Sequence, residues 1–189
     1  MTRLRLADPE SSDPAAIAAI YAPWVLDSTV SFELAVPGPD EIARRIVATS
    51  QFFPWLILED EGRILAYAYA SRWRGRPAYD WICETSIYVA GNAMGTGHGR
   101  RIYGALLEIL AAQGFVWAYG IISLPNPGSQ AFHARMGFEH MACFSEVGFK
   151  QGRWCDLDWW RLRLNSGEAP RSPRPAHALS ELQEILNRR

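Results

Sequence analysis

Between a strand-like segment and the clearest helical pattern of the chain stands the turn Gly95-Thr96-Gly97-His98-Gly99, and it constrains the fold more than any other feature. The approach, Ile87-Tyr88-Val89, is rich in β-branched and aromatic residues. The exit, Gly99–Gln113, repeats apolar residues at Ile102, Leu106, Ile109 and Leu110, and Gly114 follows where a C-terminal cap belongs. A strand that feeds a glycine turn at a helix start offers unpaired N–H groups and the positive end of the helix dipole to an anion. Glycine lets the backbone approach that anion closely, and Arg100 and Arg101 add positive charge nearby. A tight turn that needs positive φ explains the same glycines equally well. A P-loop is excluded, because no Gly-Lys-Ser/Thr follows. A dinucleotide turn is disfavoured, because the preceding segments read as an antiparallel meander rather than a βαβ unit.

Elsewhere, Thr2–Leu6 alternates as a strand. Asp13-Pro14 predicts a helix start, aspartate as cap and proline at the first position, followed by Ala16, Ile17, Ile20 and Tyr21 at helical spacing. A second helix is expected from Pro39 to Ala48, with Ile42 and Ile46 on one face. Trp55–Glu59 and Ile64–Ser71 flank an acidic glycine turn and predict an antiparallel hairpin. Trp81–Ala90 is a further strand, whose alternation places Ile82, Glu84, Ser86 and Tyr88 on one face. Val116–Ser123 reads as a strand, Ser129–Met136 as a short helix, and Met141–Phe149 and Asp156–Leu164 as the last strands. The order predicts an α+β domain around one mixed, mostly antiparallel sheet flanked by helices. This domain spans residues 1–165. Residues 166–189, with Pro170, Pro173 and Pro175, read as a proline-rich tail with a short helix over Ala178–Leu186.

The formal net charge of −1 gives no reason to expect nucleic acid or a membrane surface as partner. Met1–Leu6 lacks the apolar core of a signal peptide, and the apolar stretch Phe52–Leu58 is too short to span a bilayer. Cys83, Cys143 and Cys155 are odd in number and form no Cys-x-x-Cys pair, so packing roles in a reducing cytoplasm are expected, without disulfides or a metal site. Eight tryptophans are read chiefly as core, with some as pocket wall.

The glycine turn resembles the acetyl-CoA motif of GNAT acetyltransferases, Q/R-x-x-G-x-G/A, with Gly97 and Gly99 at its small positions. Met94 stands where glutamine or arginine is usual, which removes a polar side chain and predicts weakened cofactor binding. Pro54-Trp55-Leu56, Ala78-Tyr79-Asp80-Trp81, Glu84, Leu124-Pro125-Asn126, His133, Gly148-Phe149-Lys150 and Trp154 narrow the likeness to the phosphinothricin N-acetyltransferases, over roughly Leu4 to Leu164. That resemblance implies the GNAT acyl-CoA N-acyltransferase fold, acetyl-CoA as cosubstrate, a small amino acid such as phosphinothricin or methionine sulfoximine as acceptor, and a homodimer. It implies Glu84, His133 and Tyr88 as catalytic residues. Ile87, Val89, Gly95, Thr96, Gly97, His98, Gly99, Arg100 and Asn126 would hold the cofactor, and Phe32, Arg76 and Tyr79 the acceptor. Each has a plainer reading: an ion pair for Glu84, a structural helix histidine for His133, packing for Tyr88 and Phe32, turn chemistry for Asn126, a solvated loop for Arg76. Two alternative functions remain at this point: transfer to another small amine, and a catalytically weak acyl-CoA-binding protein, favoured only by Met94.

Overall fold

The structure, a computed structural model, describes residues 2–166 and 171–188. Its centre is the hairpin of β2 (Trp55–Asp60) and β3 (Arg63–Arg72), closed by Glu61 and Gly62 with φ of 48° and 79°. Positive φ at both turn residues matches the right-handed twist of the flanking strands. On one side lies β1 (Arg3–Leu6); on the other come β4 (Ile82–Val89), β5 (Trp117–Ser123), β7 (Arg153–Arg163) and β6 (Glu139–Lys150). All neighbours pair antiparallel except β4 and β5, which run parallel. A second positive-φ turn, Gln151-Gly152, joins β6 to β7, so these strands extend beyond their expected limits to meet at it.

Helices cover both faces of the sheet. On one, α1 (Asp13–Leu26) and α2 (Pro39–Ser50) bury Ile17, Val25, Ile42 and Ile46 against Trp55, Ile57 and Tyr67. On the other, α3 (His98–Gln113) buries Ile102, Leu106, Ile109 and Leu110 against Leu56, Leu58 and Ala68. The short α4 (Pro127–Arg135) sits beside α3, where Phe132 and His133 meet Tyr103. At the start of α1 the structure corrects the sequence reading. Ser12 is the N-cap and makes no side-chain cap bond, while the Asp13 carboxylate, buried inside the first turn, accepts two bonds from the Arg5 guanidinium at 2.5 and 2.7 Å. A buried carboxylate is retained only with such a partner. Burial alone would raise its pKa, but the bonds from Arg5 and the Asp8 N–H hold it below the ordinary carboxylate range.

The compositional boundary at 165/166 is not a boundary in packing. Residues 167–170, part of the expected tail, lie outside the described residues. Beyond them the chain lies along α3: Arg174 N–H donates to the Gln113 carbonyl at 2.8 Å, and Gln113 Nε2 donates back to the Arg174 carbonyl at 2.7 Å. The helix follows at α5 (Leu182–Arg188), later than the expected Ala178–Leu186. Leu179, Leu182, Ile185 and Leu186 join the same buried cluster as α3. Of the two partners open to this helix, the domain itself or a second subunit, the structure shows the domain: the apolar residues that follow the prolines pack on α3. Ile185 is 2% exposed, so Ile185→Ala should cost about 2–5 kcal/mol in urea unfolding. A cost below about 1 kcal/mol would mean that α5 is not part of the cooperative core.

Of the cysteines, Cys83 and Cys155 are buried as expected, whereas Cys143 is exposed on β6, the edge strand of the sheet.

Candidate active site

The parallel pairing of β4 and β5 is short. Only Ile82, Cys83 and Glu84 face Trp117, Ala118 and Tyr119. Beyond Glu84 the strands part, while β4 continues to Val89 along β3. The Ala90 N–H bonds to the Leu65 carbonyl at 2.8 Å, which fixes Tyr88/Tyr67 as a hydrogen-bonded pair and Val89/Ala66 and Ile87/Ala68 as pairs of the other kind. In such pairs the N–H and C=O groups turn away from the partner strand. Those of Ile87 and Val89 therefore point into the gap that β5 has vacated.

This gap opens into a groove of about 560 Å³, lined by Ile87, Tyr88, Val89, Gly95, Gly97 and Asn126 among others. Gly97, the N-cap of α3, has φ 88°, and Gly95 has φ 76°. A Cβ added at either would meet no atom within 4 Å. Nothing in the fold fills the space above the turn, and the first N–H groups of α3 have no intrahelical acceptor. Thr96 spends its hydroxyl on the Ala93 carbonyl at 2.7 Å, which closes the turn. Arg100 stays on the groove, but Arg101 is drawn away to Thr2. At Gly99 an added Cβ would come into ordinary contact with the Val89 and Phe132 side chains. Met94 is exposed on the groove wall. The arrangement suits a pyrophosphate at the helix start and an extended arm running into the gap.

Glu84 sits where the gap begins. Its face of β4, shared with Ser86 and Tyr88 as the alternation predicts, also carries Tyr67 and Tyr69 from β3. Burial raises the Glu84 pKa above the usual carboxylate range. Among the described residues no arginine or lysine pairs with it, so the plain ion-pair reading fails. Tyr88 stacks on Tyr67 at 5.2 Å and meets Tyr21 edge-on at 4.9 Å. Burial, then its tyrosine neighbours, pushes its phenol well above the ordinary value, so it remains a proton donor at neutral pH.

His133 is not brought to Glu84. It is 5% exposed on α4, and its Nε2 lies 3.2 Å from the Tyr103 hydroxyl, which is 2.7 Å from Thr85 Oγ1. Thr85 therefore faces α3, and its neighbour Glu84 faces the opposite side of the sheet. The His133 ring lies over Gly120, where a Cβ would come within 2.8 Å of it. Nδ1 bonds the Ser129 carbonyl at 2.9 Å, which makes it the protonated nitrogen. The imidazole also lines a cavity of about 70 Å³ in the gap, with Ser86, Tyr88, Ser123 and Asn126. Burial lowers its pKa, opposed in part by the bond to Ser129. The unfolded chain thus takes up this proton first, and the associated stability is complete above about pH 6.5 and is lost as the pH falls below it. The loss of unfolding free energy between about pH 7 and 5 should be smaller in His133→Gln than in the parent. Equal losses would show that His133 is not buried as a neutral ring.

Asn126 caps α4, its Oδ1 accepting the Ser129 N–H at 3.1 Å, and it also lines the groove. Phe32 packs over Gly148. Tyr79 meets Trp73 edge-on at 5.1 Å, in a cluster that continues to Tyr119, the register partner of Glu84. Arg76 is exposed at the head of the same loop. Sequence reasoning missed Phe132 and Arg135, which line the groove from α4. The sequence carries no amphipathic pattern that marks them, and which side of α4 faces the groove is set by packing.

The sequence pattern of the acetyltransferase (GNAT) domain matches residues 6–159. The chain belongs to the GNAT acetyltransferase family. A phosphinothricin N-acetyltransferase of Streptomyces viridochromogenes is 32% identical over 172 residues, covering 91% of this chain and 92% of that protein. An L-methionine sulfoximine/L-methionine sulfone acetyltransferase of Pseudomonas paraeruginosa is 32% identical over 165 residues, covering 85% and 94%. The crystal structure of a GNAT superfamily phosphinothricin acetyltransferase from Sinorhizobium meliloti in complex with AcCoA superposes with a TM-score of 0.83 at 31% identity, covering 95% of each chain. This GNAT protein is accordingly an acetyltransferase that takes acetyl-CoA as cosubstrate. Among the described residues no helix is long and apolar enough to cross a membrane, and no His, Cys, Asp and Glu cluster is placed to hold a metal ion.

Proposed function

We propose that this GNAT acetyltransferase moves acetyl from acetyl-CoA to the α-amine of a small amino acid of the phosphinothricin or methionine sulfoximine kind. The observation that carries the reading is Glu84: a half-buried carboxylate without a cation, at the point where the cofactor gap opens. Such a group is a base rather than a spectator. Glu84, directly or through a water, takes a proton from the acceptor ammonium. The neutral nitrogen attacks the thioester carbonyl carbon. The Val89 N–H, which the strand register turns into the gap, receives the developing oxyanion. The carbon–sulfur bond then breaks, Tyr88 donates its proton to the thiolate, and the extra proton on the new amide nitrogen returns to the Tyr88 phenolate. His133, across the sheet from Glu84, acts from the cofactor side of the gap by holding Tyr103 and bordering the cavity there. Gly95, Gly97, Gly99, the His98 N–H and Arg100 take the pyrophosphate, and Asn126 the pantetheine arm. Phe32, Tyr79 and Arg76 form the acceptor side, with the Arg76 guanidinium for the acceptor's carboxylate or phosphinate.

We further propose a cytoplasmic homodimer. Exposed Phe144, Val147, Phe149 and Trp154 on the β6–β7 edge support a second copy there.

The test is CoA-thiol release across a panel of acceptors at fixed acetyl-CoA. The expected result is the highest kcat/KM among α-amino acids of this kind. A higher value for simple amines would move the acceptor class, and tight CoA binding without turnover would replace the enzyme by an acyl-CoA-binding protein.

A further inference from the structure

Gly148-Phe149-Lys150 ends β6, and no step of the mechanism uses it. Yet Lys150 is 5% exposed. A buried ammonium is costly unless its protons are taken. Here Nζ donates to the Ser31 carbonyl at 2.6 Å and to the Val25 carbonyl at 2.7 Å. These acceptors bracket the segment that leaves α1. Two neighbours on the same hairpin hold it as well: Gln151 Nε2 donates to the Leu26 carbonyl at 3.0 Å, and Arg153 donates to Thr29 Oγ1 at 3.1 Å. Gly148, two residues before Lys150 and on its face of the strand, leaves room for the Phe32 ring, which a Cβ there would overlap. The held segment forms part of the site wall. Val30 lines both the large groove and the small cavity of the gap, and Ser31 bonds the Tyr21 hydroxyl beside Tyr88.

We infer that Lys150 is a positioning residue for the acceptor: it fixes the 25–32 segment, and so Phe32, over the acceptor side of the site. The inference rests on the reading of Phe32 as an acceptor contact. A purely structural lysine would affect both substrates alike. A positioning lysine affects the acceptor far more than the cofactor, because the pyrophosphate cradle is built on the start of α3 and Val30 is the residue of the held segment that lines the cofactor groove.

The experiment uses the full chain and measures acceptor KM, kcat, and acetyl-CoA Kd by titration calorimetry, with phosphinothricin and methionine sulfoximine as acceptors. Lys150→Met should raise the acceptor KM about tenfold or more, while the acetyl-CoA Kd stays within about twofold. Lys150→Met combined with Phe32→Ala should be no worse than Phe32→Ala alone, since both act on one contact. Should Lys150→Met fail to fold, Gly148→Ala decides in its place: it displaces the ring while Lys150 remains, and the same selective rise in acceptor KM is expected. An unchanged acceptor KM, or a parallel loss of acetyl-CoA affinity, overturns the proposal. If Phe32→Ala raises the acceptor KM and Lys150→Met does not, the proposal alone falls. If Phe32→Ala changes nothing, the acceptor-side reading falls and takes the proposal with it.

Discussion

Glu84→Gln should lower kcat by about 10²- to 10⁴-fold while leaving the folded protein at least as stable as the parent. The two halves have one cause. Glu84 is half-buried on β4 without a cation, and this desolvation raises its folded pKa above that of the unfolded chain. A group shifted upward in this way favours folding below its unfolded pKa, and that contribution is lost as the pH rises through the folded value. At neutral pH the ionised carboxylate therefore works against the fold, and a neutral amide of the same shape removes the penalty. The same ionised form accepts the acceptor's proton, so the amide also removes the base. In the parent, kcat/KM should fall on the acid side with a pKa above the ordinary carboxylate range, and this limb should vanish in Glu84→Gln. A variant that is both slower and less stable would indicate a structural carboxylate instead.

Gly97→Ala should raise the acetyl-CoA KM about tenfold or more at a stability cost of only about 1 kcal/mol. The cost comes from the φ of 88°, which an alanine adopts unwillingly. It does not come from a clash, since the added Cβ meets no protein atom within 4 Å. The methyl group instead stands in the space that a pyrophosphate would occupy above the N–H groups of α3. Acceptor KM and calorimetric acetyl-CoA affinity separate the cases. An effect confined to the cofactor supports the cradle, whereas equal weakening of both substrates points to a displaced α3.

Much of this architecture can be read from local pattern. The Glu61-Gly62 hairpin, the apolar stripe of α3, its Gly114 cap and the shared face of Glu84, Ser86 and Tyr88 all follow from periods of 2 or 3.6 residues and from glycine placement. What could not be read depends on contacts between distant segments. His133 and Glu84 look like a pair on chemistry alone. They are separated because Thr85 turns toward α3 and Glu84 away from it. The proline-rich C-terminal segment has the composition of a linker, yet Leu182 and Ile185 complete the core beside α3. Asp13 resembles a cap but is claimed by Arg5, on β1. Lys150 appears in the sequence only as part of the family-like Gly148-Phe149-Lys150, and tertiary structure alone supplies its two carbonyl acceptors.

The central claim is transfer of acetyl from CoA to an amino-acid nitrogen in this groove. The most direct measurement supplies acetyl-CoA isotopically labelled in its carbonyl carbon together with methionine sulfoximine, and follows both products by NMR. Labelled amide should form on the α-nitrogen, one acetyl for each CoA thiol released, and Glu84→Gln should slow both together. Thiol release without labelled acceptor, or acetyl-CoA that stays bound and intact, would contradict the account.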